Sequence, residues 1–259
     1  MTAGPFPPER RHTLYFLEEI RGFSPVYLDT EVDMTAVRAL GGYSPVVCTC
    51  YVAGRVLVRH PDANAAIRGR SRPKIARFDA AHAKVAVDKT VNGRRVVLSA
   101  VLPGCDRASL DDVRDRLAYL RDGDPDEVPE LAVVRPLRRL PMPLGRFGFR
   151  RVVRPLRKRP GRFGTFAVTS LGHRPVDGFH SVGGTTVTLG LGRVADRPVV
   201  RDGAVRTAPV MRLSLTFDHR VIDGAEAADV LAEIKDGLEN LRKEESAPVP
   251  ADVATGADR

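Results

Sequence analysis

The stretch Phe217-Asp218-His219-Arg220-Val221-Ile222-Asp223-Gly224-Ala225 joins two patterns of different period. Ahead of it, Met211, Leu213, Leu215 and Phe217 alternate with Arg212, Ser214, Thr216 and Asp218, the period of two that marks a strand with one buried face. Behind it, Ala228, Leu231, Ile234, Leu238 and Leu241 recur at three- and four-residue steps, as on an amphipathic helix. A histidine just past a buried strand lies at the rim of the core, where packing holds the ring while one nitrogen faces a cleft. That place suits a general base, because neutral imidazole can take a proton from a thiol or hydroxyl and return it to a leaving group. Asp223 could accept backbone N–H bonds in the turn, cap the helix, or pair with an arginine. Gly224 removes a side chain where another backbone or a ligand could approach.

The spacing H-x-x-x-D-G is short, and the chain repeats it at His173-Arg174-Pro175-Val176-Asp177-Gly178. That copy contains a proline and leads into the loop-like GFHSVGG, with no helix to hold its aspartate. Context therefore selects His219 over His173.

The 259 residues are 43% hydrophobic and 28% charged, which excludes a disordered chain and suffices for a sizeable core. The start has no apolar run suited to a signal peptide, and no stretch of about 18 uncharged apolar residues occurs, so a cytoplasmic protein is expected. The cysteines, Cys48, Cys50 and Cys105, are too few for a disulfide framework. Cys48-Thr-Cys50 lacks the second ligand pair a zinc site needs, and no metal is expected. Residues 135–162 hold eleven Lys or Arg and no acid, whereas the formal charge of the whole chain is +9; the rest sums to −2. The tract reads as a solvated insertion over the domain edge or as a site for acidic lipid, a phosphorylated ligand or an acidic protein. It has few stacking groups, and nucleic acid is not an expected partner.

Strands and helices alternate along the chain. PVYLDTEVDM reads as a strand, and SPVVCTCYVAGRVLVRHP as a buried helix ended by Pro61. Short strand-like runs lie near Asn64 to Ile67 and Lys74 to Phe78. Asn92-Gly93 between two β-rich runs predicts a hairpin. SLDDVRDRLAYLRDG predicts a helix with Ser109 as N-cap and acids in its first turn. GTFAVTSLG and TTVTLGLGRV read as strands. The expected organisation is a flexible start (1–9), one α+β domain (10–243) with a basic insertion at about 130–162, and a disordered tail (244–259).

LSLTFDHRVIDGAEAADVLAEI resembles the closing motif, D-H-R-x-x-D-G-A, of the acyltransferase component of 2-oxo acid dehydrogenase complexes. Upstream, GTFAVTSLG and LGLGRVADRPVV are similar to two further family motifs, and weaker similarity runs through YLDTEVDMTAVRAL and VLVRHPDANAAI. The resemblance implies a chloramphenicol-acetyltransferase-like fold, a mixed β-sheet with flanking helices, and a homotrimer. It implies acyl transfer between coenzyme A and a second thiol, usually a dihydrolipoyl group on a separate lipoyl domain; an acyl-carrier protein or specialised metabolite is an alternative acceptor. His219 would be the base and Thr169 the hydroxyl that donates to the oxyanion. Asp223 would orient the segment through an arginine, with Ser170 and Gly224 beside coenzyme A. The catalytic groups would come from neighbouring subunits.

The chain also departs from the family. No lipoyl or subunit-binding domain is expected, and Lys89 in AVDKTVNG is a poor lipoylation candidate. GRRVVLSAV stands where the family has G-L-V-V-P-V, and HSVGGTT replaces its I-N-P-P. Both changes leave the acyl group and acceptor open. The polar C-terminus suggests a free trimer and no large cage. A non-catalytic scaffold subunit is the alternative reading of the same fold.

Overall fold

The computed structural model describes residues 4–69 and 71–242, so the expected tail at 244–259 lies outside the described residues. In chain order these form α1 (Arg11–Glu19), β1 (Pro25–Asp33), α2 (Thr35–Leu40), α3 (Pro45–Leu57), β2 (Ala65–Arg68), β3 (Lys74–Arg77), β4 (Ala83–Val91) and β5 (Arg94–Leu102). Then come α4 (Leu110–Asp122), α5 (Pro129–Ala132), α6 (Arg135–Arg139), α7 (Met142–Val153), α8 (Arg159–Phe163), β6 (Phe166–Ser170), β7 (Val187–Arg201), β8 (Ala204–Asp218) and α9 (Gly224–Glu239). The main sheet runs β1-β8-β7-β6-β4-β5, antiparallel except that β6 lies parallel to both β4 and β7. β2 and β3 pair separately.

Two tight turns set the register. Asn92 and Gly93 both take positive φ (50° and 72°), the twist a two-residue hairpin needs, and Val91 pairs with Arg94. Asp202 and Gly203 repeat the device (52° and 75°) between β7 and β8, where Arg201 pairs with Ala204. The Asp-Gly dipeptide carries the signal for this second hairpin as plainly as Asn-Gly does for the first.

One sheet face holds the core. Val85, Val87, Phe166, Val168, Leu189, Leu213, Leu215 and Phe217 are buried there with α3, α4 and α9. α3 starts at Ser44, whose Oγ accepts from the Val47 N–H, and is buried almost all round. It packs so closely that a Cβ at Gly54 would lie 2.5 Å from the Cys105 carbonyl carbon. Burial pushes the Cys48 and Cys105 thiols up to about 12, so both stay protonated and behave as packing groups. His60, just past α3, bonds Glu226 and Glu233 of α9 at 2.9 and 3.0 Å and ties the two helices together. α4 carries a full capping box from Ser109 and Asp112. Lys89 is turned inward, its Nζ donating to the Arg121 and Gly123 carbonyls at the end of α4.

The basic tract is helical, α6 through α8, where the sequence suggested a solvated insertion. Its helices begin at prolines, which tolerate only the first turn. Five of its cations have partners elsewhere in the fold. Arg146 pairs with Glu18, Arg150 and Arg154 with Glu19, Arg138 with Asp126, and Arg159 donates to the Gly184 carbonyl. Tyr15 of α1 lies against α7, where a Cβ at Gly145 would meet its hydroxyl at 2.6 Å. At the chain start, Glu9 accepts from Asn92 and pairs with Arg94.

Candidate active site

The opposite sheet face is polar. Lys84, Ala167, Thr188, Thr216 and Tyr27 form one row across it, and Thr169, Gly190, Ser214 and Asp29 the next. Residues 171–186 cross this face as a loop. Glycine in β7 makes room for the loop: a Cβ at Gly190 would lie 2.5 Å from the Phe179 carbonyl oxygen, and one at Gly192 would overlap the Asp177 backbone. His173 is exposed in this loop, with no helix following, and Asp177 is bound by Arg193 and Arg197. The second copy of the motif is therefore a surface turn.

β8 runs to Asp218 and α9 begins at Gly224, so His219 stands at the strand exit as its pattern predicts. Its backbone N–H donates to the Ser24 carbonyl (2.9 Å), and its ring meets Phe217 edge-on at 5.5 Å between centroids. Nδ1 lies 3.2 Å from the Ile222 carbonyl oxygen and 3.3 Å from Oδ1 of Asp223. A carbonyl can only accept, so Nδ1 is the donor here, and in the neutral ring that arrangement makes Nε2 the acceptor. The side chain is 46% exposed, and Nε2 has no hydrogen-bond partner among the described residues.

Asp223 differs from expectation. It precedes α9 but makes no side-chain cap, and at 89% exposure it meets His219 alone, with no arginine. The arginine pair falls one turn earlier. Asp218, nearly buried, accepts Arg220 Nε at 2.8 Å and its Nη2, and also faces the Arg220 and Ser24 N–H groups at 3.2 and 3.4 Å. This clamp holds the histidine loop against β1. The string D-H-R contained it, but Asp218 occupies the polar phase of β8 and reads as a surface acid.

Thr169 lies on the polar face near the end of β6, half-buried. Ser170 points elsewhere, its Oγ accepting the Gly172 N–H at 3.2 Å, and so holds the start of the loop. Gly224 opens α9 toward free space. Thr169 and His219 are not brought together within one chain. The Thr169 row crosses β8 at Ser214, and five residues at about 3.3 Å each put His219 roughly 17 Å further along the sheet.

β6 covers β7 only from Val187 to Leu191, and β1 covers β8 only from Val210 onward. Beyond these limits the β7–β8 hairpin is an arm that pairs with itself among the described residues, with Val200 and Val205 exposed. Arg38–Asp196 braces its base, and Arg201 next to the turn pairs with Asp33.

The segment carrying the loop, clamp, histidine and α9 matches a family. Residues 159–244 fit the model of the 2-oxoacid dehydrogenases acyltransferase (catalytic domain). That region, about a third of the chain, is similar to this family's catalytic domain. The dihydrolipoyllysine-residue acetyltransferase component of the pyruvate dehydrogenase complex of Bacillus subtilis is 57% identical over 47 residues, 18% of this chain and 11% of that protein. The match thus spans about a tenth of the relative's length. A dihydrolipoamide acetyltransferase from Azotobacter vinelandii superposes with a TM-score of 0.69 at 21% identity, covering 93% of each chain. Chloramphenicol acetyltransferase superposes with a TM-score of 0.50 at 17% identity, covering 90% of this chain and 96% of that one. The fold is chloramphenicol-acetyltransferase-like over most of the chain. Work on the Azotobacter protein addressed a serine, a histidine and an asparagine in its catalytic mechanism.

Proposed function

We propose that the chain is a coenzyme A-dependent acyltransferase whose active site forms between copies, His219 from one and Thr169 from the next. The observation that carries this reading is the orientation of His219 at the strand exit: Nδ1 faces the Ile222 carbonyl, so in the neutral ring Nε2 is the nitrogen left to act as base. The thiol proton passes to Nε2, and the thiolate sulfur attacks the acyl carbonyl. The negative charge moves to the carbonyl oxygen, where the Thr169 hydroxyl donates to it. Collapse expels the other sulfur, which takes the proton back from His219. One such oxyanion donor is worth about 3 kcal/mol of barrier.

The separation of Thr169 from His219 and the unpaired β7–β8 arm both support self-association, and a homotrimer is the symmetric assembly proposed. The second thiol is a dihydrolipoyl group presented by a separate domain. The loop across the polar sheet face departs from the family sequence, which leaves a carrier-protein thiol or a specialised metabolite as the second candidate acceptor. A scaffold role would require neither a free Nε2 nor the clamp that positions it. The proposed setting is cytoplasmic; no helix among the described residues is long and apolar enough to cross a membrane.

The test is transfer from a panel of acyl-CoA thioesters to dihydrolipoamide. His219→Ala is expected to lose about 10³-fold or more of the rate, the usual worth of a positioned base, and His173→Ala to stay near the wild type. Equal loss in both variants, or loss in neither, contradicts the assignment.

A further inference from the structure

The cations of the basic tract divide by partner. Five, Arg138, Arg146, Arg150, Arg154 and Arg159, have carboxylate or carbonyl partners. The remaining six, Arg135, Arg139, Arg151, Arg157, Lys158 and Arg162, are all exposed, and none forms an ion pair among the described residues. No Asp or Glu occurs between Glu130 and Asp177 to neutralise them.

The same surface exposes large apolar groups. Gly145, Phe149 and Val153 turn α7 toward α1, with the Phe149 ring 6.3 Å from that of Tyr15. At helical spacing the opposite side carries Leu144, Phe147 and Arg151, and the Arg151 guanidinium lies over the Phe147 ring at 5.8 Å. Leu144 is 56% and Phe147 60% exposed. Such side chains cost free energy in water, and here no fold requirement places them there, since the core-facing side of α7 is already filled.

We infer that the outer face of α6–α8 is a docking surface for anionic lipid bilayers, with Leu144 and Phe147 entering the interface and the six unpaired cations meeting lipid headgroups. The geometry favours a bilayer over an acidic peptide. The apolar residues crown a convex helix, and neither of the main surface cavities is lined by Leu144, Phe147 or Arg151. A flat, soft anionic surface fits a convex face; an extended peptide needs a groove.

The experiment is co-sedimentation of the full chain with phosphatidylcholine vesicles and with vesicles containing about 30% phosphatidylglycerol. Binding is expected only to the anionic vesicles and should weaken with salt. Each cation near such a surface contributes about fivefold, so Arg139→Gln/Arg151→Gln should weaken partition roughly 25-fold. Leu144→Ser/Phe147→Ser should weaken it while leaving the salt slope in place. Unchanged thermal unfolding of both variants confirms that the surface, and not the fold, was altered. Equal sedimentation with neutral vesicles overturns the inference. So does capture by polyglutamate without capture by anionic vesicles, or binding unaffected by Leu144→Ser/Phe147→Ser.

Discussion

Nδ1 of His219 lies 3.2 Å from the carbonyl oxygen of Ile222, closer than it lies to the carboxylate of Asp223. The backbone therefore orients the ring, and the exposed carboxylate adds only what a solvated pair can, about 1 kcal/mol at most. Asp223→Ala is expected to lower acyl transfer by less than about tenfold, while Thr169→Ala loses about 10²–10³-fold as an oxyanion donor. Steady-state kinetics of the two variants check the ranking. A loss in Asp223→Ala matching that of His219→Ala would assign the orientation to the carboxylate instead.

The buried clamp is a different matter. Asp218 sits almost fully inside with Arg220 and two N–H groups as partners, and the pair holds Arg220 above its ordinary range. Removing the carboxylate leaves the Arg220 and Ser24 N–H groups without their acceptor and frees the Arg220 guanidinium to solvent. Asp218→Ala should destabilise the chain by about 2–4 kcal/mol, read by urea unfolding. Arg220→Lys should not restore wild-type stability, because an ammonium cannot make the bidentate contact. Wild-type stability in Asp218→Ala would remove the clamp from the account.

Lys84 gives a pH signature. Its stem is half-buried, and its Nζ sits between the Phe16 and Phe163 rings at 4.2 and 3.9 Å, bonded to the Gly183 carbonyl. Burial first, and then the nearby Arg159, lower its pKa from the ordinary 10.5 to about 7. Below pH 7 the amine is charged in both folded and unfolded chains, and the folded state bears the full cost. Between about 7 and 10.5 the unfolded chain binds the extra proton, so this group makes stability rise with pH. Lys84→Met should exceed the wild type in stability at pH 6.5, and its advantage should shrink by pH 9.5. Denaturation at both values checks this. A constant difference between the two proteins would mean that Lys84 does not titrate in that window.

The residues differ in how far sequence alone reveals them. The exit of β8 at Asp218 and the entry of α9 at Gly224 were legible because a period of two gives way to one of 3.6 within six residues. The Asn92-Gly93 turn was equally plain. The helices of the basic tract were not. Pro136, Pro143 and Pro160 cut its apolar pattern into short pieces, and the carboxylates that fix its cations, Glu18 and Glu19, lie more than a hundred residues earlier in the chain. Asp218 was hidden by alternation, since its burial depends on Ser24 and Arg220 rather than on its phase in the strand. The offset of His219 from the Thr169 row, roughly 17 Å along the sheet, follows from register, which no single motif encodes.

That separation supplies the most direct test of a site shared between copies. His219→Ala and Thr169→Ala chains, each inactive alone, are mixed in equal amounts, dissociated and reassembled. Random assembly gives sites that draw both intact residues from different chains in about a quarter of cases, and acyl transfer from acyl-CoA to dihydrolipoamide should return to about that fraction of wild type. No recovery, from assemblies proven to be mixed, would contradict a site built by one copy's imidazole and another's hydroxyl.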